Sequence, residues 1–173
     1  MSPRAVLIGL PGAGKTTTGR RLAAGLGVAF ADSDRMVEQR AGRAVAEIFA
    51  ADGEGAFRAL EAQVIADALR DFGGVLALGG GAVLSESTRA ALAGSGSPVV
   101  LLRASVRSLS RRVGTGKGRP LLAGGPAAKL AVLASDRGPL YRELATHVVT
   151  TDRRSSSRVA TEIAALLAKV NPQ

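Results

Sequence analysis

Residues 9–16 read Gly9-Leu10-Pro11-Gly12-Ala13-Gly14-Lys15-Thr16. This is the G-x-x-x-x-G-K-[ST] pattern of a phosphate-binding loop, and it constrains the chain more than any other stretch. Its context agrees. Ala5-Val6-Leu7-Ile8 is a short apolar run of the kind that forms a buried parallel strand. Thr16 to Ala24 reads as a helix, with Leu22 and Leu26 on one side and Arg20 and Arg21 on the other. Strand, glycine-rich turn and helix together place amide N–H groups and the positive end of a helix dipole at one point, where a polyphosphate is favoured. Gly12, Ala13, Gly14, Lys15, Thr16 and Thr17 are the expected phosphate contacts. Lys15 should reach the β- and γ-phosphates as a point charge. Thr16 should offer its hydroxyl to Mg²⁺, a hard cation that takes oxygen ligands.

Both the sheet and its ligands follow from this start. In parallel α/β sheets, ligands sit beyond the carboxyl ends of the strands. Val28-Ala29-Phe30 is expected as a strand running into Ala31-Asp32-Ser33-Asp34. Alternation along an extended segment would put Asp32 and Asp34 on one side. One carboxylate could hold Mg²⁺ through water and the other accept a hydrogen bond from a hydroxyl; alternatively, Ser33 or Asp34 simply caps a helix over 35–40. Val45, Ile48 and Phe49, and then Phe57, Leu60, Val64 and Ile65, have helical spacing, with a break expected at Asp52-Gly53-Glu54. Arg58 and Glu61 lie three apart on one helix face, either as a surface ion pair or as a guanidinium held to grip a carboxylate. Val75 to Leu78 is a further buried strand, ending in Gly79-Gly80-Gly81. Glycines there suit either close approach of backbone to a ligand or a plain turn.

The later chain continues the alternation. A helix is expected over 88–93, a strand over 98–102 and a helix over 105–113 carrying Arg111 and Arg112. Residues 114–126 are glycine-rich and basic, and serve either as a surface loop or as a lid that brings Arg119 over the phosphates. A helical region over 127–145 is expected to be interrupted at Gly138-Pro139, just after Arg137. His147 to Thr150 is a last strand, followed by Arg153 and Arg154 at the ligand edge and by a closing amphipathic helix over 159–170. His147 has no His or Cys partner at metal-ligand spacing and reads as structural.

Composition narrows the function. With 173 residues the chain suits one domain. There is no cysteine, so thiolate chemistry and disulfides are ruled out. No apolar run approaches the ~20 residues of a membrane span, and the four apolar residues after Arg4 are too few for a signal-peptide core. A cytoplasmic location is expected. The formal net charge of +9 invites a nucleic-acid partner. The arginines are scattered, however, and aromatics are only 3% of the residues, so base-stacking platforms are lacking. An anionic small substrate fits the charge better.

Taken together, these marks resemble one family, shikimate kinase, along essentially the whole chain. They are the 9–16 loop, Asp32-Ser33-Asp34, Phe57-Arg58 with Glu61, Leu78 to Val83, Arg119-Pro120-Leu121-Leu122, and Arg137-x-Pro-x-Tyr141. The resemblance implies an α/β, nucleoside-monophosphate-kinase-like three-layer sandwich: a five-stranded parallel sheet in the order 2-3-1-4-5, with helices on both faces. It implies a single kinase domain over 1–173, with a substrate-binding segment at about 34–61 and a lid at about 114–126. The implied reaction is ATP-dependent phosphorylation of the 3-hydroxyl of shikimate, with Mg²⁺, in the pathway to aromatic amino acids. By the same resemblance Asp34 would take the accepting hydroxyl. Arg58, Arg137 and backbone around Gly80 and Gly81 would hold shikimate. Arg119 would reach the γ-phosphate beside Lys15, and Thr16 with Asp32 would serve the metal. Arg111 or Arg112, and Arg153 or Arg154, would flank adenine. A monomer without nucleic-acid or membrane partners is expected. The alternatives are another small-molecule kinase of the same fold, such as a gluconate kinase, and a non-enzymatic nucleotide-dependent nucleic-acid binder.

Overall fold

The computed structural model describes residues 1–113 and 125–170. Five strands form one sheet: Ala5–Ile8 (β1), Phe30–Asp32 (β2), Val75–Ala77 (β3), Val99–Arg103 (β4) and His147–Thr150 (β5). All neighbouring pairs are parallel, in the order β2-β3-β1-β4-β5. The helices are Lys15–Leu26 (α1), Ser33–Ala41 (α2), Val45–Asp71 (α3), Glu86–Gly94 (α4), Val106–Val113 (α5), Pro126–Leu144 (α6) and Ser156–Val170 (α7).

The inner strands β1, β3 and β4 are apolar, apart from Arg103 at the end of β4, because both of their faces are covered. Successive side chains point to opposite faces, so each of these inner strands feeds two cores. Ala5, Leu7, Val75, Ala77, Val100, Leu102 and Val149 pack with Leu22 and Ala23 of α1, Leu109 of α5, and Val159 and Ile163 of α7. Val6, Ile8, Leu76, Leu78, Val99 and Leu101 pack with Ile65, Ala68 and Leu69 of α3, Leu92 of α4 and Tyr141 of α6. A third cluster of Val37, Ile48, Phe57 and Val64 joins α2 to α3. It gives the segment beyond β2 a small core of its own.

Three local expectations are corrected. The second strand runs over Phe30–Asp32 and not 28–30, because the turn that ends α1 uses Val28, whose amide donates to the Ala23 carbonyl. The next helix therefore starts at Ser33, and its cap is Asp32, not Ser33 or Asp34. Asp32 and Asp34 come together by that cap and not by strand alternation: the Asp32 side chain accepts from the Asp34 amide at 3.1 Å. Finally, α6 passes through Gly138-Pro139 without interruption. Pro139 removes one helical donor. The turn around it is held by Arg137 and Tyr141, only 4% and 3% exposed, which anchor the helix on both sides of the proline. The break expected at residues 52–54 is present as a kink within α3, where Gly53 has φ 83 and ψ 170.

Candidate active site

The carboxyl ends of β1, β2 and β3 lie together at one edge, which brings the 9–16 loop, Asp32 and the 79–81 glycines to one place. The loop turns by left-handed glycines, Gly12 with φ 84 and Gly14 with φ 92. Gly14 precedes α1 without a side-chain cap, and the first turn of α1 carries no acid. The positive end of the helix is thus left for a bound anion. Lys15 Nζ donates to the carbonyls of Gly9 at 2.7 Å and Leu10 at 3.1 Å, which holds the ammonium along the loop. Thr16 Oγ1 donates to Asp32 Oδ2 at 2.9 Å. A hydroxyl and a carboxylate side by side are hard oxygen donors of the type Mg²⁺ takes, so the residues present fit that ion.

On the far side of the loop, Gly14, Thr18, Arg112, Thr151 and Arg154 help line a cavity of about 150 Å³. Arg112 donates to the Thr151 hydroxyl at 2.9 Å, the Thr151 carbonyl at 2.7 Å and the Gly12 carbonyl at 3.3 Å. Arg154 donates to the Thr150 carbonyl at 3.0 Å and pairs with Glu162. The two open choices therefore separate in space. Arg112 and Arg154 border the cavity, whereas Arg111 and Arg153 do not line it.

The third group surrounds the glycine run. Gly79 N–H donates to Ser33 Oγ at 2.9 Å, tying β3 to the start of α2. A Cβ built on Gly79 would lie 2.7 Å from Asp34 Oδ1 and 2.9 Å from Glu61 Oε1. One built on Gly80 would lie 3.5 Å from Arg137 Nη1, and one on Gly81 only 2.1 Å from Arg58 Nη2. The glycines are thus sites of close approach by four charged side chains that come from α2, α3 and α6. Arg58 and Arg137 converge there, 79 positions apart in the chain.

Arg58 and Glu61 are not a surface ion pair. Their contact is 2.6 Å, and the side chains are 17% and 1% exposed. Arg58 also stacks over the Phe57 ring, 5.1 Å from its centroid. Phe57 is seated against Phe49, so the guanidinium rests on the third core. Burial pushes the Glu61 carboxyl up to about 7, against the pull of Arg58. Asp34 is raised as well, by burial and then by its neighbour Asp32, with Lys15 and Arg58 opposing.

A stability prediction follows from Glu61. The folded carboxyl titrates at about 7, above its ordinary 4.5. Between those values the folded state binds more protons than the unfolded state. Stability from this group is therefore complete below the lower value and is lost as pH rises to the upper one, at up to about 1.4 kcal/mol per pH unit. Asp34, also raised, contributes with the same sign. Glu61→Gln removes the titration. The thermal midpoint of the wild type should fall relative to that of Glu61→Gln as pH rises from about 4.5 to about 8. A constant difference between them would show that Glu61 does not hold the proton.

Arg119 and Lys117 lie outside the described residues, as does most of the 114–126 segment. Thr17 sits in the first turn of α1, exposed at the edge of the loop. The sequence offers Ser33 only as a helix cap and Tyr141 only as a mark of the resemblance, and it gives Thr151 no role. Tyr141 could have been suspected from its place one helical turn after Arg137. Thr151 carries no such signal, because only the packing of β5 beside α5 brings it to Arg112.

Comparison with known proteins bears on this site. The shikimate kinase family profile matches residues 11–168. Shikimate kinase of Thermobifida fusca (strain YX) is 52% identical over 170 residues, covering 98% of this chain and 95% of that protein. Shikimate kinase of Salinispora arenicola (strain CNS-205) is 52% identical over 168 residues, covering 97% and 99%. Among solved structures, shikimate kinase from Acinetobacter baumannii in complex with shikimate superposes with a TM-score of 0.93 at 36% identity, over 100% of this chain and 96% of that one.

Proposed function

The chain belongs to the shikimate kinase family, and from that premise we propose how its own residues divide the work. The enzyme transfers the γ-phosphoryl group of ATP to the 3-hydroxyl of shikimate, giving shikimate 3-phosphate and ADP. Phosphoryl transfer is catalysed chiefly by alignment and charge neutralisation. The 9–16 loop and the start of α1 cradle the phosphates, with Lys15 on the β- and γ-oxygens. Arg119, outside the described residues, adds charge at the transferring group. Arg112 and Arg154 flank the adenine in the cavity beside Gly14. Thr16 and Asp32 would hold Mg²⁺, which would supply charge neutralisation to the phosphates.

Asp34 receives the hydrogen bond of the accepting hydroxyl and takes its proton. Its raised proton affinity makes it a stronger base than an ordinary carboxylate. Arg58 and Arg137 grip the carboxylate of shikimate, with the peptides of Gly80 and Gly81 close by. The whole chain acts as one kinase domain, a monomer of the cytoplasm. Among the described residues no helix is long and apolar enough to cross a membrane.

One observation carries this assignment: two arginines from different helices meet beside Asp34 on a glycine run that adjoins the phosphate loop. Arg58 is paired with Glu61, and two planar guanidiniums converging beside that pair suit two-pronged recognition of a further carboxylate. The test combines an acceptor panel with two substitutions. ADP release should be strong with shikimate and weak with gluconate or AMP. Arg58→Lys and Arg137→Lys keep the charge but lose the planar fork. Each should weaken shikimate binding by about 1–3 kcal/mol while ATP binding barely changes. Unchanged shikimate affinity in both variants would remove the carboxylate clamp.

A further inference from the structure

Behind the glycine run lies a buried phenol. Tyr141 is 3% exposed and belongs to the core that backs β1, β3 and β4. Its hydroxyl donates to the Gly80 carbonyl at 2.5 Å. The Arg137 guanidinium, one helical turn earlier on α6, lies close enough to the same phenol to favour its charged form. Gly80 is hemmed in on its other side by the phosphate loop: a Cβ there would lie 3.2 Å from Pro11 Cδ and 3.4 Å from the Gly9 carbonyl oxygen. The Gly80 peptide is therefore the joint between the loop that holds the phosphates and the arginine proposed to hold the acceptor.

We propose that Tyr141 is a positioning residue of the acceptor site, its phenol oxygen holding the Gly80 carbonyl and the Arg137 guanidinium in one fixed relation. This rests on the assignment of Arg137 and Gly80 to the acceptor. Two consequences follow from elementary geometry. The Gly80 carbonyl and the Gly81 N–H share one peptide plane and point in opposite directions across a trans bond. Anchoring the carbonyl thus sets the aim of the Gly81 N–H. Arginine is a long side chain with much rotamer freedom, and a buried acceptor near its head removes part of that freedom before the acceptor arrives. Burial pushes the phenol up to about 12, so it remains a neutral donor across any ordinary assay range. The ring fills space in the core, but the hydroxyl alone makes both contacts, so Tyr141→Phe separates packing from positioning.

The experiment is calorimetric titration of shikimate and of ATP, separately, into the wild type, Tyr141→Phe and Arg137→Lys, with thermal midpoints and steady-state constants for each. Tyr141→Phe should weaken shikimate roughly tenfold, with the loss in KM exceeding that in kcat. ATP affinity should stay within twofold. A variant that binds shikimate as the wild type does, whatever its thermal midpoint, overturns the proposal. If Arg137→Lys weakens shikimate and Tyr141→Phe does not, the positioning role fails while the acceptor site stands. If neither weakens it, the acceptor-site assignment itself has failed. Tyr141 is the chain's only tyrosine and there is no tryptophan, so the wild type carries its own probe. The carboxylate of bound shikimate would lie against the Arg137 guanidinium that neighbours the phenol, so saturating shikimate should change the tyrosine emission. An unchanged signal would overturn the proposal even if the phenylalanine variant did not fold.

Discussion

Lys15→Ala is expected to lower turnover by about 10³-fold or more while the protein stays folded. The side chain lies in the loop and bonds to the Gly9 and Leu10 carbonyls. It is no part of the apolar clusters that hold the sheet. Its removal should therefore cost little packing. What it removes is a positive charge at the start of α1, where negative charge moves from the γ-phosphoryl group to the departing β-phosphate oxygen. A charge that matters more in the transition state than in the ground state appears in kcat as well as in binding. The check is kcat and ATP affinity, with the thermal midpoint as a control for folding. A folded variant within tenfold of wild-type turnover would sink the assignment of the phosphate loop.

Asp34→Asn should lower kcat by about 10²–10⁴-fold, the usual span for loss of a general base. Asparagine keeps the size and one acceptor oxygen, so shikimate should still bind, though less tightly. The wild type offers a second signature. Burial and the neighbouring Asp32 raise the Asp34 carboxyl above its ordinary 3.8. Turnover should therefore begin to fall, as pH is lowered, at a higher pH than an ordinary carboxylate would give. The limb should be absent from the residual activity of the asparagine variant. Pre-steady-state measurement of the chemical step across pH, in both proteins, decides this. A kcat loss below tenfold, or the same acid limb in both, would leave Asp34 as a binding group only.

Much of the site was legible because its parts are local. The phosphate loop is eight consecutive residues, and the strand before it and the helix after it are read from adjacent hydrophobic patterns. Asp32 was placed at the ligand edge because a strand was expected just before it. The strand lies two residues later than that expectation, and Asp32 is still at the ligand edge because it ends β2. Pro139 was misread because the local rule, that proline ends a helix, contains no knowledge of the buried Arg137 and Tyr141 that hold the turn together. The sheet order and the reaction came from a resemblance spread over the whole chain, not from any single stretch.

By itself the sequence determined the phosphate-binding loop, the alternation of buried strands and helices, and the acids and arginines available at the sheet edge. These depend on residues within a turn or two of one another. Only the tertiary structure decided which side chains meet. It put Arg112 and Arg154, and not Arg111 and Arg153, at the cavity beside Gly14, because one residue of rotation on a helix or one peptide in a turn changes where an arginine lies. It turned an apparently superficial Arg58–Glu61 pair into a buried one, with the carboxyl titrating at about 7. It brought Tyr141 to Gly80 across 61 positions of chain. Burial and long-range contact set the local dielectric and the hydrogen-bond partners, and neither quantity is carried by spacing along the chain.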